Sequence, residues 1–293
     1  MGILRYNYRS EMLGMHTDIT ITYPSGNYTC YHPAEEKEEG KAGIFKKGEI
    51  LYQPDMKLPT VYILHGGGDD DSLLYRYTRL EYYAEQNNVM TVTAQAHDSF
   101  CINTAYGIPY FTFFTEELPT VVRSLFASST RREDNFLIGM AMGGNAALMM
   151  AMKRPDLFAA CVDLSGGIGC SLDSKYFVES FDQIRMPKMY GAFDDPRQLK
   201  DSEFDIGYQA RKNLENKVEL PELYLAVGEN DFIRDVVRKD RNELLRLGIP
   251  FHYEEAPGLG HEWDFWDRYM KKALDEWLPL PGRDRRQEKI KIH

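Results

Sequence analysis

Between Asn135 and Met152 the chain passes from an apolar strand-like run, Asn135-Phe-Leu-Ile-Gly139, into an apolar helical run, Asn145-Ala-Ala-Leu-Met-Met-Ala-Met152. The join is Gly139-Met140-Ala141-Met142-Gly143-Gly144. Glycines on both sides of a strand-to-helix turn mark a place where two backbones approach too closely for side chains. In G-x-S-x-G sequences such a turn holds a strained serine at its apex, with the hydroxyl presented for attack. Here the apex is Ala141. The turn is kept and its oxygen is missing. Because strand–glycine–helix junctions occur in many α/β chains, the surrounding pattern has to give this one its meaning.

That pattern is an alternation. Strand-like runs fall at 60–65, 89–93, 135–139, 159–164, 223–227 and 251–255, with helical periodicity over 72–86, 111–126, 142–153, 231–247 and 262–277. Continuous apolar strands separated by helices predict a mostly parallel sheet covered on both faces. Residues 18–23, Asp-Ile-Thr-Ile-Thr-Tyr, alternate like an antiparallel strand at the leading edge of that sheet. With 293 residues, 43% of them hydrophobic, one large α/β domain over 1–293 is expected rather than two. The interval between Leu164 and Leu223 is too long for a single crossover helix. It predicts the crossover plus a small insertion after the sixth strand, around Tyr176 to Asp205 within a cap-like 171–218, at the strand ends where open α/β sheets hold ligands. The charged segment 35–47 reads as a solvated hairpin loop, and 281–293 as a frayed tail.

Composition excludes several partners. A net charge of −10 disfavours nucleic acid and anionic membrane surfaces. No run reaches the roughly 20 apolar residues of a membrane span, and Met1 to Thr20 lacks the apolar core of a signal peptide. Cys30, Cys101, Cys161 and Cys170 form no CxxC and no zinc spacing. Cys161, in an apolar strand, is expected to be a buried thiol. A reducing cytoplasm is the simplest home. No metal or organic cofactor is implied, and a homo-oligomer is left open.

Three further features fall at strand ends. His65-Gly66-Gly67-Gly68 follows the run 60–64. A glycine turn there bares backbone N–H groups, so Gly67 and Met142 are the candidate donors of an oxyanion hole. No Gly-Lys-Ser/Thr follows, which argues against a nucleotide P-loop. Gly228-Glu229-Asn230-Asp231 follows the run 223–227, offering Asp231, or Asp235 one turn on, as an acid that orients a histidine. An aspartate in that place can equally cap the next helix. Gly258-Leu-Gly-His261-Glu-Trp263 follows the run 251–255, and His261 alone among seven histidines lies in a glycine-rich loop after the last strand. His65 is expected to fix its own turn, and His97 and His252 to be ordinary strand-end or sheet-face residues. The chain order of elbow, acid, histidine is that of α/β-hydrolases, unlike the orders of chymotrypsin or subtilisin.

On these residues the chain resembles the esterase D family of α/β-hydrolases, nearest its bacterial tributyrin and feruloyl (cinnamoyl) esterase branch. The resemblance covers about residues 15–278. It rests on the His65 turn, Tyr106-Gly107 with Glu116-Glu117-Leu118-Pro119, Met142-Gly143-Gly144, Leu164-Ser165-Gly166, Gly228–Asp231 and His261-Glu-Trp-Asp-Phe-Trp266. It implies an α/β-hydrolase fold and a serine esterase acting through an acyl-enzyme. His261 is then the base, Asp231 its orienter, and Gly67 with Met142 the oxyanion donors. Gly68, Tyr106, Trp263 and Trp266 are the implied substrate neighbours. The departure is Ala141, where the family has serine; Ser165 does not replace it, because the family has a serine there as well.

A methyl group can neither attack a carbonyl nor hydrogen-bond His261, so the chain as written is expected to be inactive. Two explanations stand: a serine-to-alanine change in an active enzyme, or a natural pseudo-enzyme that binds ligands or partners. Retention of His261, Asp231 and the elbow glycines together favours the first. The expected substrate is a small-molecule or oligosaccharide ester. The 19 Tyr and 15 Phe include a cluster at Tyr106–Phe114, and aromatic walls would suit a hydroxycinnamoyl group such as ferulate. The same phenylalanines also read as the buried stripe of a helix. Feruloyl or acetyl side-chain esters of plant polysaccharides therefore rank first, simple short-chain esters next, and S-formylglutathione third. One of Trp263 and Trp266 is expected in the core and the other at the pocket.

Overall fold

A computed structural model describes residues 1–24, 55–104, 107–166 and 200–281. Eight strands form one sheet in the order β1-β2-β4-β3-β5-β6-β7-β8. They are β1 Gly2–Arg9, β2 His16–Tyr23, β3 Thr60–Leu64, β4 Met90–Ala94, β5 Asn135–Met140, β6 Ala160–Leu164, β7 Glu222–Gly228 and β8 His252–Ala256. The two N-terminal strands pair antiparallel, β2 pairs antiparallel with β4, and every other pairing is parallel. Every residue of β3, β4, β5 and β6 is buried, as expected for parallel strands with helices on both faces.

Those faces carry two separate cores. On one, Tyr62, Leu137 and Cys161 pack with Phe111, Phe113 and helix α5, Met142–Lys153. On the other, Val61, Ile138 and Val162 pack with helices α1 Leu73–Tyr77, α2 Leu80–Gln86 and α8 Trp263–Lys272. Ten of the twelve residues of α5 are buried, because this helix lies against the middle of the sheet and has almost no solvent face. Two short helices, α3 Tyr110–Thr112 and α4 Leu118–Leu125, are joined by a π turn at Phe113–Glu117, and α7 Arg234–Leu247 ends on Gly248 at φ 70°. That left-handed glycine closes the helix without a Cβ penalty.

Two expectations are revised. The sheet's leading edge is β1, not the 18–23 strand, which is the second one in. Most of β1 is exposed, so burial imprints no alternation on its sequence. The predicted helix 72–86 is two helices, broken where Thr78 turns to extended backbone (φ −127°, ψ 173°). Within 171–218, the expected crossover is the helix α6 Ile206–Glu215. Its Asp205 cap accepts the Tyr208 N–H (3.0 Å), and Ile206 and Ala210 sit in the main core. This stretch belongs to the body of the domain; residues 171–199 lie outside the described residues, as do the 35–47 loop and residues 282–293. Cys161 and Cys101 are buried and unbridged, and burial pushes both thiols up. Among the described residues no helix is long and apolar enough to cross a membrane.

Candidate active site

The parallel register brings five strand ends level. Leu64 of β3 lies beside Gly139, Met140 beside Leu164, Leu164 beside Ala226, and Gly228 beside Ala256. The ladder runs on past the strands: Ala141 N–H donates to Leu164 O (2.9 Å), Ser165 N–H to Ala226 O (2.8 Å) and Glu229 N–H to Ala256 O (2.9 Å). The separate sequence features therefore meet along one edge of the sheet.

Ala141 sits at φ 49°, ψ −119°, a region costing a residue with a side chain about 1–3 kcal/mol. It persists because its surroundings permit no alternative path. A Cβ on Gly139 would lie 1.9 Å from Gly143 O, and one on Gly143 would lie 2.1 Å from Leu64 O. One on Gly144 would lie 2.3 Å from Asp163 Oδ1, and one on Gly166 2.4 Å from the Asn145 nitrogen. The four glycines are where strand, helix and the neighbouring loop touch backbone to backbone. Met142 is the first residue of α5, so its N–H has no acceptor within the helix.

The His65 turn rests against this elbow, since a Cβ built on Gly66 would be 3.5 Å from the Ala141 Cβ. His65 is buried and fixes the turn: its Nε2 accepts the Ala96 N–H (2.9 Å), leaving Nδ1–H to donate to Gly66 O (2.7 Å). Gly67 is exposed. Gly68, at φ 77°, gives its N–H to Asp98 Oδ1 (2.6 Å), so that donor holds the turn rather than facing a ligand. Tyr106 lies outside the described residues.

The acid and histidine loops interlock. Asn230 N–H donates to Leu259 O (2.8 Å), Gly258 N–H donates to Glu229 Oε2 (2.8 Å), and a Cβ on Gly228 would lie 2.5 Å from Leu259 O. Across this contact His261 Nδ1 lies 2.9 Å from Asp231 Oδ2 and 3.2 Å from Oδ1. A carboxylate accepts, so Nδ1 carries the proton and Nε2 keeps its lone pair. Asp231 is buried, and its remaining capacity is filled by Ser165 Oγ–H (2.7 Å to Oδ2) and Ile233 N–H (2.9 Å to Oδ1). Burial works to raise its pKa, but these bonds and the imidazole outweigh burial and hold it below the usual carboxylate value. Asp235 is exposed and paired with Arg234 and Arg238, which removes it as the acid.

The His261 ring is flanked by Trp266, edge-on at 4.9 Å, and by Phe232, tilted at 4.7 Å. Trp266 is in the core, whereas Trp263 is half-buried and stacked on Tyr77 (4.8 Å). Two contributors had no assigned role in the sequence. Ser165 follows β6 directly, at φ 61°, and aims its hydroxyl at Asp231. Phe232 follows the acid directly, an aromatic residue after an otherwise polar turn. Of the other histidines, His97 bonds the Tyr110 hydroxyl (2.8 Å) and His252 pairs with Glu254 (2.8 Å). Among the described residues no group of three or more His, Cys, Asp and Glu side chains is placed to hold a metal ion.

A glycine turn, a strained elbow and an aspartate-held histidine, in that chain order at the carboxyl ends of a mostly parallel sheet, are the features of an α/β-hydrolase. Residues 48–276 match the model of the Putative esterase family, and the chain belongs to that family of carboxylic ester hydrolases. It is similar along 95% of its length to an acetyl esterase of Caldicellulosiruptor saccharolyticus, with 28% identity over 288 residues and 98% of that protein covered. Its fold is similar to that of the fluorophosphonate-binding serine hydrolase FphF of Staphylococcus aureus (TM-score 0.75, 24% identity, 93% of this chain and 96% of that one). A similar fit is found to the S-formylglutathione hydrolase FrmB of Staphylococcus aureus (TM-score 0.73, 24% identity, 93% and 97% covered).

Proposed function

We propose that this site, with serine at position 141, hydrolyses short-chain carboxylic esters, acetyl esters first, through an acyl-enzyme. The observation that carries the reading is the pairing of His261 with Asp231 at 2.9 Å beside an apex held at φ 49°. In the first half-reaction the serine oxygen attacks the ester carbonyl while His261 Nε2 takes its proton. Negative charge develops on the carbonyl oxygen, where the Gly67 and Met142 N–H groups stabilise it. The imidazolium then gives its proton to the departing alkoxide, and water repeats the sequence to release the acid.

The acyl preference follows from where the phenylalanines go. Phe111, Phe113 and Phe114 are all buried in the core, which leaves these rings little surface to offer a feruloyl group. With that argument removed, the similarity to an acetyl esterase moves short acyl groups ahead of hydroxycinnamoyl ones, with S-formylglutathione still third. An acetylated sugar is a natural substrate of this kind. With Ala141 in place the chain binds such esters without cleaving them. Alanine adds no bulk, and affinity stays in the ordinary substrate range because tighter complementarity is reserved for the transition state.

Ala141→Ser is expected to raise hydrolysis of p-nitrophenyl acetate by several orders of magnitude, since loss of a catalytic serine costs about a millionfold. Comparing kcat/KM for acetate, butyrate, methyl ferulate and S-formylglutathione ranks the acyl groups; a hundredfold preference for ferulate would restore the hydroxycinnamoyl reading. A folded Ala141→Ser protein inert on all four would favour the second reading, suggested by Ala141 itself, of a protein that binds esters and does not hydrolyse them.

A further inference from the structure

A file of aromatic rings crosses the site with His261 inside it. Tyr77 stacks on Trp263 (4.8 Å, 26° between planes), Trp263 meets Trp266 edge-on (5.1 Å, 75°) and Trp266 meets His261 edge-on (4.9 Å, 83°). His261 then lies against Phe232 (4.7 Å, 54°). The two ends of the file are the two most exposed large apolar side chains among the described residues, Phe232 at 70% and Tyr77 at 53%. They differ in what they do. Tyr77 covers Trp263 with one face and stands two rings away from the histidine. Phe232 touches the imidazole itself and presents most of its surface to solvent.

Such exposure beside the base contributes little to folding, since an apolar side chain stabilises a protein by leaving water. Nor is Phe232 loosely placed. Its neighbours on both sides, Asp231 and Ile233, are buried, and Ile233 N–H is tied to Asp231 Oδ1. The backbone thus turns one residue outward between two fixed ones and holds that ring next to His261. Trp266, the other ring on the imidazole, is buried and offers a ligand little surface.

We propose that Phe232 is a specificity-determining residue, an exposed platform that binds aryl alcohol portions of ester substrates. The proposal rests on the ester-hydrolase reading given above. In that reaction His261 delivers its Nε2 proton to the leaving alkoxide as the carbonyl C–O bond breaks, so the alcohol portion occupies the histidine's side of the scissile bond. The acyl oxygen is held on the other side by Gly67 and Met142. A ring 4.7 Å from the imidazole is therefore within stacking reach of whatever is attached to the leaving oxygen, and aromatic pairs favour offset or tilted contact at such separations. The platform selects for the alcohol and is indifferent to the acyl group.

The test uses the chain with Ala141, which binds without turnover. Phenyl acetate and methyl acetate share an acyl group and differ only in the alcohol. Their dissociation constants are read from titration of the His261 imidazole resonances in the parent chain, Phe232→Ala, Phe232→Leu and Phe232→Tyr. The phenyl-over-methyl preference is expected to fall about tenfold in Phe232→Ala, to fall similarly in Phe232→Leu, and to be retained in Phe232→Tyr. A preference unchanged in Phe232→Ala, an equal loss for both esters, or failure of Phe232→Tyr to retain it would overturn the platform while leaving the ester site standing. If neither ester perturbs His261 in the parent chain, the ester-site reading fails and the platform with it.

Discussion

At the scale of single residues, the proposed chemistry turns on position 141: the methyl group of Ala141 occupies the apex where the proposed esterase needs a serine hydroxyl. His261 keeps its Nδ1–H on Asp231 and its Nε2 free of that bond, which is the tautomer a general base requires. Asp231 in turn depends on Ser165, whose buried hydroxyl donates to it across 2.7 Å. This makes Ser165 a positioning residue. In the Ala141→Ser background, Ser165→Ala is expected to lower kcat for p-nitrophenyl acetate about tenfold, the worth of one hydrogen bond to a charged group, with KM little changed. The downfield Nδ1–H proton resonance of His261 should shift in the same variant, because the carboxylate it faces has lost a donor. An unmoved resonance with unchanged kcat would leave Ser165 as packing alone. Asp231→Asn in the same background should be far more damaging, on the order of ten-thousandfold in kcat, because an amide stabilises the wrong tautomer.

Elements are placed here by close backbone contact, and the elbow is the tightest case. Gly143→Ala would set a methyl 2.1 Å from Leu64 O, against backbone that has nowhere to go. Urea unfolding should show a loss of more than about 4 kcal/mol, or no folded protein. Gly14→Ala is the control: φ is 68° there, a strain that the helical Gly143 does not carry, but nothing lies within 4 Å of the added carbon. It should cost only about 1 kcal/mol of backbone strain. Equal losses in the two variants would contradict the close-approach account. The same physics explains which elements were legible in the sequence. Strands buried on both faces read as unbroken runs, and glycine doublets mark where they meet helices, so β3 to β6, α5 and the elbow could be read directly. Being largely exposed, β1 is specified by its register with β2, Gly2 opposite Tyr23 through Arg9 opposite His16, which no local pattern encodes. The crossover helix α6 is legible from the length of its interval but its bounds are not, since it buries only half of its ten residues. In the site, Asp231 and His261 were legible from chain order and strand-end position. Ser165 and Phe232 acquire their roles from partners 66 and 29 residues away in sequence (231 − 165 and 261 − 232), so only the folded chain reveals them.

For the molecule as a whole, the elbow helix sits over a buried acid. Asp163, on β6 under Gly144, is fully enclosed; burial pushes its pKa up to about 7, against one opposing N–H from Gly166 (2.7 Å). Asp240, on α7, is also buried and raised, by burial and by the Asp163 charge. A native pKa above the unfolded value of about 3.9 means that the group's contribution is fully present below that value and is lost as pH rises through 7. Asp163→Asn keeps an oxygen for the Gly166 N–H and removes the titration. Its stability relative to the parent chain should therefore improve between pH 5 and pH 8, by on the order of 1–3 kcal/mol in urea unfolding. A difference independent of pH would contradict it. The most direct measurement of the central claim is intact-mass spectrometry of the Ala141→Ser protein, quenched in acid during turnover of p-nitrophenyl acetate. The account predicts one acetyl group per chain, mapped by peptide analysis to position 141, absent from the parent chain and lost again when His261→Ala is added. An acetyl group at any other residue, or none on an Ala141→Ser protein that still releases p-nitrophenol, would contradict it.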